Sequence, residues 1–259
     1  MNLPFYKYQG AGNDFVIVDN RHGMFDRGNQ QLIQILCNRR FGIGADGLML
    51  LQDKAGYDFE MVYFNSDGKE GSMCGNGGRC IVAFAQNLGL IKNTTRFLAA
   101  DGEHLAELIN TQQVNLKMSD VTQVEINEDF YYLNTGSPHY VKFVKGIEAL
   151  DVYSLGRQIR YNERFKANGT NVNFVEEINH RLMVRTYERG VEDETLACGT
   201  GITASAIAFS MATGETREKY DMKALGGDLI VRFTREENRF TNIWLEGPAT
   251  FVFKGEITL

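Results

Sequence analysis

Along most of this chain apolar and polar positions alternate in short runs bounded by glycine, asparagine and aspartate, the pattern of half-buried strands. Residues 5–9 and 15–19 are predicted strands flanking the turn Gly10-Ala-Gly-Asn-Asp14, and 57–65 is a strand ending at Asn65-Ser-Asp-Gly68. Strands fill 96–118 with a break at Asp101-Gly102, and 131–135 and 140–144 stand on either side of Gly136-Ser-Pro-His139. Residues 172–177 and 181–188 form a hairpin across Asn179-His180, and 229–233, 240–245 and 250–253 close the chain. Four segments have a helical period instead. Residues 29–40 space Leu32, Ile33, Ile35 and Leu36 behind a candidate cap at Asn29, and 150–160 reads as a second helix. The other two, 73–89 and 197–214, are small and apolar on nearly every side and are entered through glycines. A helix of that kind is buried.

The two apolar helices open alike, with Cys74-Gly-Asn-Gly77 and Cys198-Gly-Thr-Gly201, and the cysteines lie 124 residues apart in a chain of 259. The predicted class is therefore α+β with a duplicated two-lobe architecture. Each lobe is a mixed or antiparallel β-sheet wrapped around one central apolar helix. Residues 1–113 form the N-terminal lobe carrying Cys74, and 114–249 form the C-terminal lobe carrying Cys198.

Composition narrows the partners. With 43% hydrophobic and 23% charged residues the chain is ordinary for a globular protein. A net charge of −6 argues against nucleic acid and anionic membrane surfaces, which need a positive footprint. The longest apolar run, 80–85, is too short to span a bilayer, and the first residues show no secretory leader. A cytoplasmic protein is expected. Its four cysteines (Cys37, Cys74, Cys80, Cys198) are then thiols, and neither their spacing nor the four scattered histidines suggests a metal site. Gly42-x-Gly44-x-x-Gly47 has dinucleotide-fingerprint spacing but follows a helix rather than a strand, so nucleotide binding is not expected.

The helix entrances carry the chemistry. A thiol beside a helix N-terminus meets unpaired N–H groups and the positive end of the macrodipole, which favour the thiolate. The same N–H groups offer a carboxylate site, and the glycines let a ligand approach. Two such units facing one cleft would grip one carboxylate between two thiols, as a stereoinversion needs. Taken singly, Cys-Gly-x-Gly reads as a buried small hydrophobe; two copies half a chain apart reverse that reading. Cys37 and Cys80 fall on predicted helices as core fillers.

At these motifs the chain resembles the diaminopimelate epimerase family, which epimerises an amino acid without a cofactor. Eight blocks match in order: Gly10-Ala-Gly-Asn-Asp-Phe15, Gly42-Ile-Gly-Ala-Asp-Gly47, Tyr63-Phe-Asn-Ser-Asp-Gly68, Met73-Cys-Gly-Asn-Gly77, Gly136-Ser-Pro-His139, Gly169-Thr-Asn-Val-Asn-Phe174, Tyr187-Glu-Arg-Gly190 and Ala197-Cys-Gly-Thr-Gly201. The resemblance implies that Cys74 and Cys198 are the acid–base pair. It implies that Gly75, Asn76, Gly199 and Thr200 receive the carboxylate at the reacting carbon. Asn13, Asn65, Asn171, Glu188 and Arg189 would bind the rest of the substrate, and His139 with Glu188 would tune the thiols. It further implies LL- and meso-2,6-diaminopimelate as substrates in lysine and peptidoglycan precursor synthesis, and a return of 250–259 to the first lobe. No cofactor is expected, since no pyridoxal-type lysine is evident, and a homodimer is among the assemblies left open. Ser137 stands where the family often has asparagine, and Gly47 where some members have glutamine. A proline-racemase type of two-cysteine enzyme is the alternative, although its first motif has histidine where this chain has Asn76. A non-catalytic amino-acid-binding homologue is the other.

Overall fold

The structure, a computed structural model, describes residues 2–71 and 73–258, so residue 259 of the expected C-terminal return lies outside the described residues. The chain divides into two compact units, Met1–Leu116 with Gly247–Leu259, and Lys117–Glu246.

In the first unit β1 (Asn2–Gly10) and β2 (Asn13–Asp19) form a hairpin through Ala11 and Gly12, both at positive φ. The helix α1 (Gln30–Cys37) crosses over to β3 (Gly47–Gln52), parallel to β2, and β4 (Glu60–Asn65) returns antiparallel to β3. After α2 (Gly75–Asn87) come β5 (Thr94–Ala99), parallel to β4, and then β6 (Gly102–Asn110) and β7 (Gln113–Lys117), each antiparallel to the one before. The second unit begins with β8 (Val124–Ile126), β9 (Tyr131–Asn134) and β10 (Pro138–Phe143), antiparallel in turn. The helix α3 (Val152–Arg160) crosses to β11 (Asn171–Ile178), parallel to β10, and β12 (Arg181–Glu188) returns antiparallel. A short β13 (Asp193–Thr195) pairs with β12. Beyond α4 (Gly199–Thr213), β14 (Tyr220–Ala224) lies parallel to β12, followed by antiparallel β15 (Gly227–Glu236) and β16 (Arg239–Pro248). With β13 set aside, the pairings from β1 to β7 repeat from β9 to β16. The final β17 (Thr250–Thr258) pairs antiparallel with β1, the place that β8 takes beside β9. Both halves thus carry the duplication that the paired cysteine motifs predict.

Each unit has its apolar helix inside. Residues 75–85 of α2 are all buried and pack against β1, β2, β3, β4, β6 and β17. In α4, Gly199 and 201–210 are buried against β9, β10, β11, β12, β14 and β15. Glycine, alanine and serine make this possible, because strands can approach such a helix from every side. The buried hydroxyls of Thr203 and Ser205 bond back to the carbonyls of Gly199 (3.0 Å) and Gly201 (2.7 Å), so they cost little.

Three local differences from the sequence reading have identifiable causes. The helix α1 is capped by the Asn29 side chain as expected but stops at Cys37, because the Asn38 side chain takes the N–H groups of Arg40 and Phe41 into a turn. The strand β10 begins at Pro138, at the one strand position where a missing N–H is easily tolerated, and so draws His139 out of the predicted loop. The strands β8 and β13 have three residues each, too few to show a period, and β14, although Tyr220-Asp-Met-Lys-Ala224 does alternate, is only five residues long. Among the described residues no helix is long and apolar enough to cross a membrane.

Candidate active site

Cys74 caps the N-terminus of α2 with extended backbone (φ −100°, ψ 125°), and Cys198 caps α4 in the same way (φ −112°, ψ 108°). Neither side chain closes a cap bond onto its own first turn, so the N–H groups of each turn remain directed outward. The thiol of Cys74 is half-buried and that of Cys198 is buried. Cys37 and Cys80 are buried in the core, where burial pushes their thiols up to about 11 and about 12. They are inert, as core fillers should be.

In the first unit Asn13 is oriented from behind. Its Nδ2 donates to Asp46 Oδ2 at 2.6 Å, which turns its Oδ1 toward Cys74 Sγ (3.5 Å) and Asn76 Nδ2 (3.4 Å). Arg39 anchors Asp46 at 2.8 Å and also pairs with Asp14, whose other partner is the buried Lys7 at 2.7 Å. Burial alone would raise the Asp14 carboxyl, but hydrogen bonds from Arg39 and Lys7 hold it well below the usual carboxylate range. Gly75 and Asn76 form the first turn of α2. Asn65 stands exposed at the end of β4. At Gly47 a Cβ would lie 2.5 Å from Tyr63 Cε2, so the ring of Tyr63 fills the space where a longer residue would begin.

In the second unit Ser137, Asn171 and Arg189 meet. Asn171 Nδ2 donates to Ser137 Oγ (2.9 Å) and to the Pro138 carbonyl (3.0 Å), while Asn171 Oδ1 accepts from the Arg189 N–H (2.9 Å). The Arg189 guanidinium reaches Ser137 Oγ at 3.4 Å. Gly169 takes φ +74°, a conformation that L side chains rarely adopt, and a Cβ there would also crowd the Arg189 side chain, 2.6 Å from its Cδ. Glu188 accepts from Thr195 Oγ1 (2.8 Å), Cys198 Sγ lies 3.5 Å from Thr200 Oγ1, and the Thr200 carbonyl accepts from Thr135 (2.9 Å).

His139 is fully buried behind this group. Asn173 Nδ2 donates to the Tyr140 carbonyl (3.0 Å) and faces His139 Nδ1 at 3.1 Å, while Asn173 Oδ1 accepts from Thr186 Oγ1 (3.0 Å). Both ends of the amide are thereby assigned, so Nδ1 is the acceptor and the neutral ring carries its proton on Nε2. Burial, reinforced by the charge of Arg189, pushes the imidazole down to about 3. Among the described residues Nε2 has no hydrogen-bond partner.

Sequence reasoning passed over Asp46, Arg79 and Asn173. Asn173 is two residues from Asn171 and so shares its strand face; two amides on one face of an otherwise apolar strand were the available signal. Arg79 is the only charge in α2. Asp46 sits in a matched block without a chemical cue of its own. Among the described residues no group of acidic, histidine or cysteine side chains could hold a metal ion.

The diaminopimelate epimerase family model matches residues 5–124 and 131–252. A diaminopimelate epimerase of Flavobacterium psychrophilum is 51% identical over 257 residues, covering 98% of this chain and all of the relative. One from Aquifex aeolicus is 37% identical over 275 residues, covering 99% of this chain and 98% of the relative. Among solved structures, a PhzF-family phenazine biosynthesis protein of Bacillus anthracis superposes with a TM-score of 0.79 at 13% identity over the full length of both chains. A hydroxyproline epimerase of Agrobacterium vitis does so with a TM-score of 0.71 at 14% identity, covering 100% of this chain and 93% of that one. At such identities the structures share the fold alone.

Proposed function

The chain belongs to the diaminopimelate epimerase family, and on that premise we propose that it interconverts LL- and meso-2,6-diaminopimelate by moving the α-proton between two thiols, Cys74 and Cys198. The observation that carries the reading is that both cysteines cap the buried helix of a duplicated unit with the same backbone conformation. A two-base stereoinversion needs one acid–base group for each face of the α-carbon, and duplication is a direct way to supply such a pair.

In this reading one cysteine, as thiolate, takes the α-proton from one face of the substrate, and the other, as thiol, delivers a proton to the opposite face. The proton count balances, and the roles exchange when the reaction runs backward. An amino-acid α-proton is a poor acid, so the negative charge developing on the α-carbon and its carboxylate has to be stabilised. The outward N–H groups of Gly75-Asn76 and Gly199-Thr200, with their helix dipoles, are suited to that task. His139 contributes a neutral Nε2–H. Arg189 offers a fork to the distal carboxylate, Glu188 an acceptor to the distal ammonium, and Asn13, Asn65 and Asn171 amides around them. Action on this one water-soluble small molecule in the cytoplasm, by a homodimer, completes the reading.

The test is turnover of LL-diaminopimelate by the wild type, Cys74→Ala and Cys198→Ala, each checked for a cooperative melt. Both variants are expected to lose epimerisation. Full turnover by either one, correctly folded, removes its thiol from the reaction.

A further inference from the structure

Arg79 lies in the second turn of α2, fully buried, where the sequence around it is glycine, alanine and aliphatic. Its guanidinium donates to Asn76 Oδ1 (2.7 Å), to the Gly75 carbonyl (3.3 Å) and to the Pro248 carbonyl (3.3 Å). All three acceptors are neutral. Among the described residues no carboxylate stands within ion-pair distance of it, and the ionisable groups whose charge reaches it are the thiols of Cys80 and Cys74. Burial raises the Cys80 thiol to about 12, so Cys80 stays protonated.

A fold seldom keeps an unpaired cation in a dry interior, because desolvation is costly and a hydrophobic residue of similar volume would usually serve stability as well. The charge here sits under the first turn of the helix that Cys74 caps, with its sign aligned with the macrodipole. Its hydrogen bonds to Gly75 and Asn76 fix it to the residues that follow the thiol. We propose that Arg79 is the fixed positive charge of the Cys74 half-site, which stabilises Cys74 as a thiolate and adds to the α2 N-terminus as counter-charge for an anionic ligand. The second part rests on the epimerase reading, in which that ligand is the carboxylate at the reacting carbon. The first part stands without it. Arg79 is a positioning and electrostatic residue, touching no reacting atom itself.

The experiment measures the pH profile of iodoacetamide alkylation of Cys74 in a Cys198→Ala background, with the labelled peptide identified by mass. Cys37 and Cys80 are buried and should stay unlabelled. The midpoint is the readout rather than the rate at one pH, because a thiolate of higher pKa is also the stronger nucleophile. The parent midpoint should fall below the ordinary thiol value of about 8.5. Arg79→Gln keeps N–H donors and removes the charge, and should raise the midpoint by about one unit or more. A role limited to bridging carbonyls would lower the melting temperature without moving the midpoint. A folded Arg79→Gln protein with a midpoint within about 0.3 unit of the parent overturns the proposal. If that variant does not fold, Arg79→Met takes its place with the same two outcomes, and a parent midpoint at or above about 8.5 overturns the proposal by itself. Because alkylation needs no substrate, a low midpoint in a protein that fails to epimerise diaminopimelate would sink the epimerase reading and leave this assignment standing.

Discussion

Replacing His139 by glutamine removes the one fully buried imidazole and, with it, a specific dependence of stability on pH. The folded protein holds this ring at about 3, whereas an exposed histidine titrates near 6.5. Between those values the unfolded chain binds a proton that the folded chain refuses, so unfolding free energy rises with pH. The stabilising contribution is complete above the unfolded value and is lost as pH falls toward the folded one. The slope is about 1.4 kcal/mol per pH unit, or about 2 kcal/mol between pH 7 and pH 5. Urea unfolding of wild type and His139→Gln at several pH values between 5 and 8 isolates it, since the carboxylates common to both proteins cancel in the difference. Above pH 7 the wild type should be more stable by a constant margin, the bond from Asn173 and the ring packing. That margin should shrink by about 2 kcal/mol by pH 5. Parallel curves would mean that His139 takes up its proton equally in both states, and the buried, neutral assignment would be wrong.

Two further substitutions test the supports of the two cysteines. Gly201→Ala puts a Cβ 2.3 Å from Asn173 Oδ1, an amide already committed to His139, Tyr140 and Thr186, and should cost roughly 1–3 kcal/mol. Calorimetry would read this as a lower melting temperature, and an unchanged one would show that the amide steps aside. Asp14→Asn leaves the buried Lys7 without its counter-charge and should destabilise by about 3 kcal/mol in urea titration. A loss below about 1 kcal/mol would place Lys7 among ordinary surface pairs.

The features legible in the sequence are those with a period or a repeated motif. Both apolar helices, the Asn29 cap and the hairpin at Asn179-His180 follow from local pattern, and the repeated Cys-Gly-x-Gly predicts a duplication that the strand pairings carry. Partners chosen by tertiary contact were not legible. No local rule links Asn13 to Asp46 across 33 residues, or His139 to Asn173 across 34. His139 looked like a loop residue because Pro138 precedes it, yet β10 pairs Pro138 with Asn134 of β9 and His139 with Asn171 of β11, which brings both into the sheet. Arg79 was hidden by its surroundings, since a helix averaged as apolar conceals its single charge.

The most direct measurement is proton NMR of LL-2,6-diaminopimelate in D2O with the purified, reduced protein and no added cofactor. Loss of the α-proton signal together with growth of the meso isomer is the predicted result. An unchanged α-proton signal, from protein shown to be folded and reduced, would contradict epimerisation by two thiols.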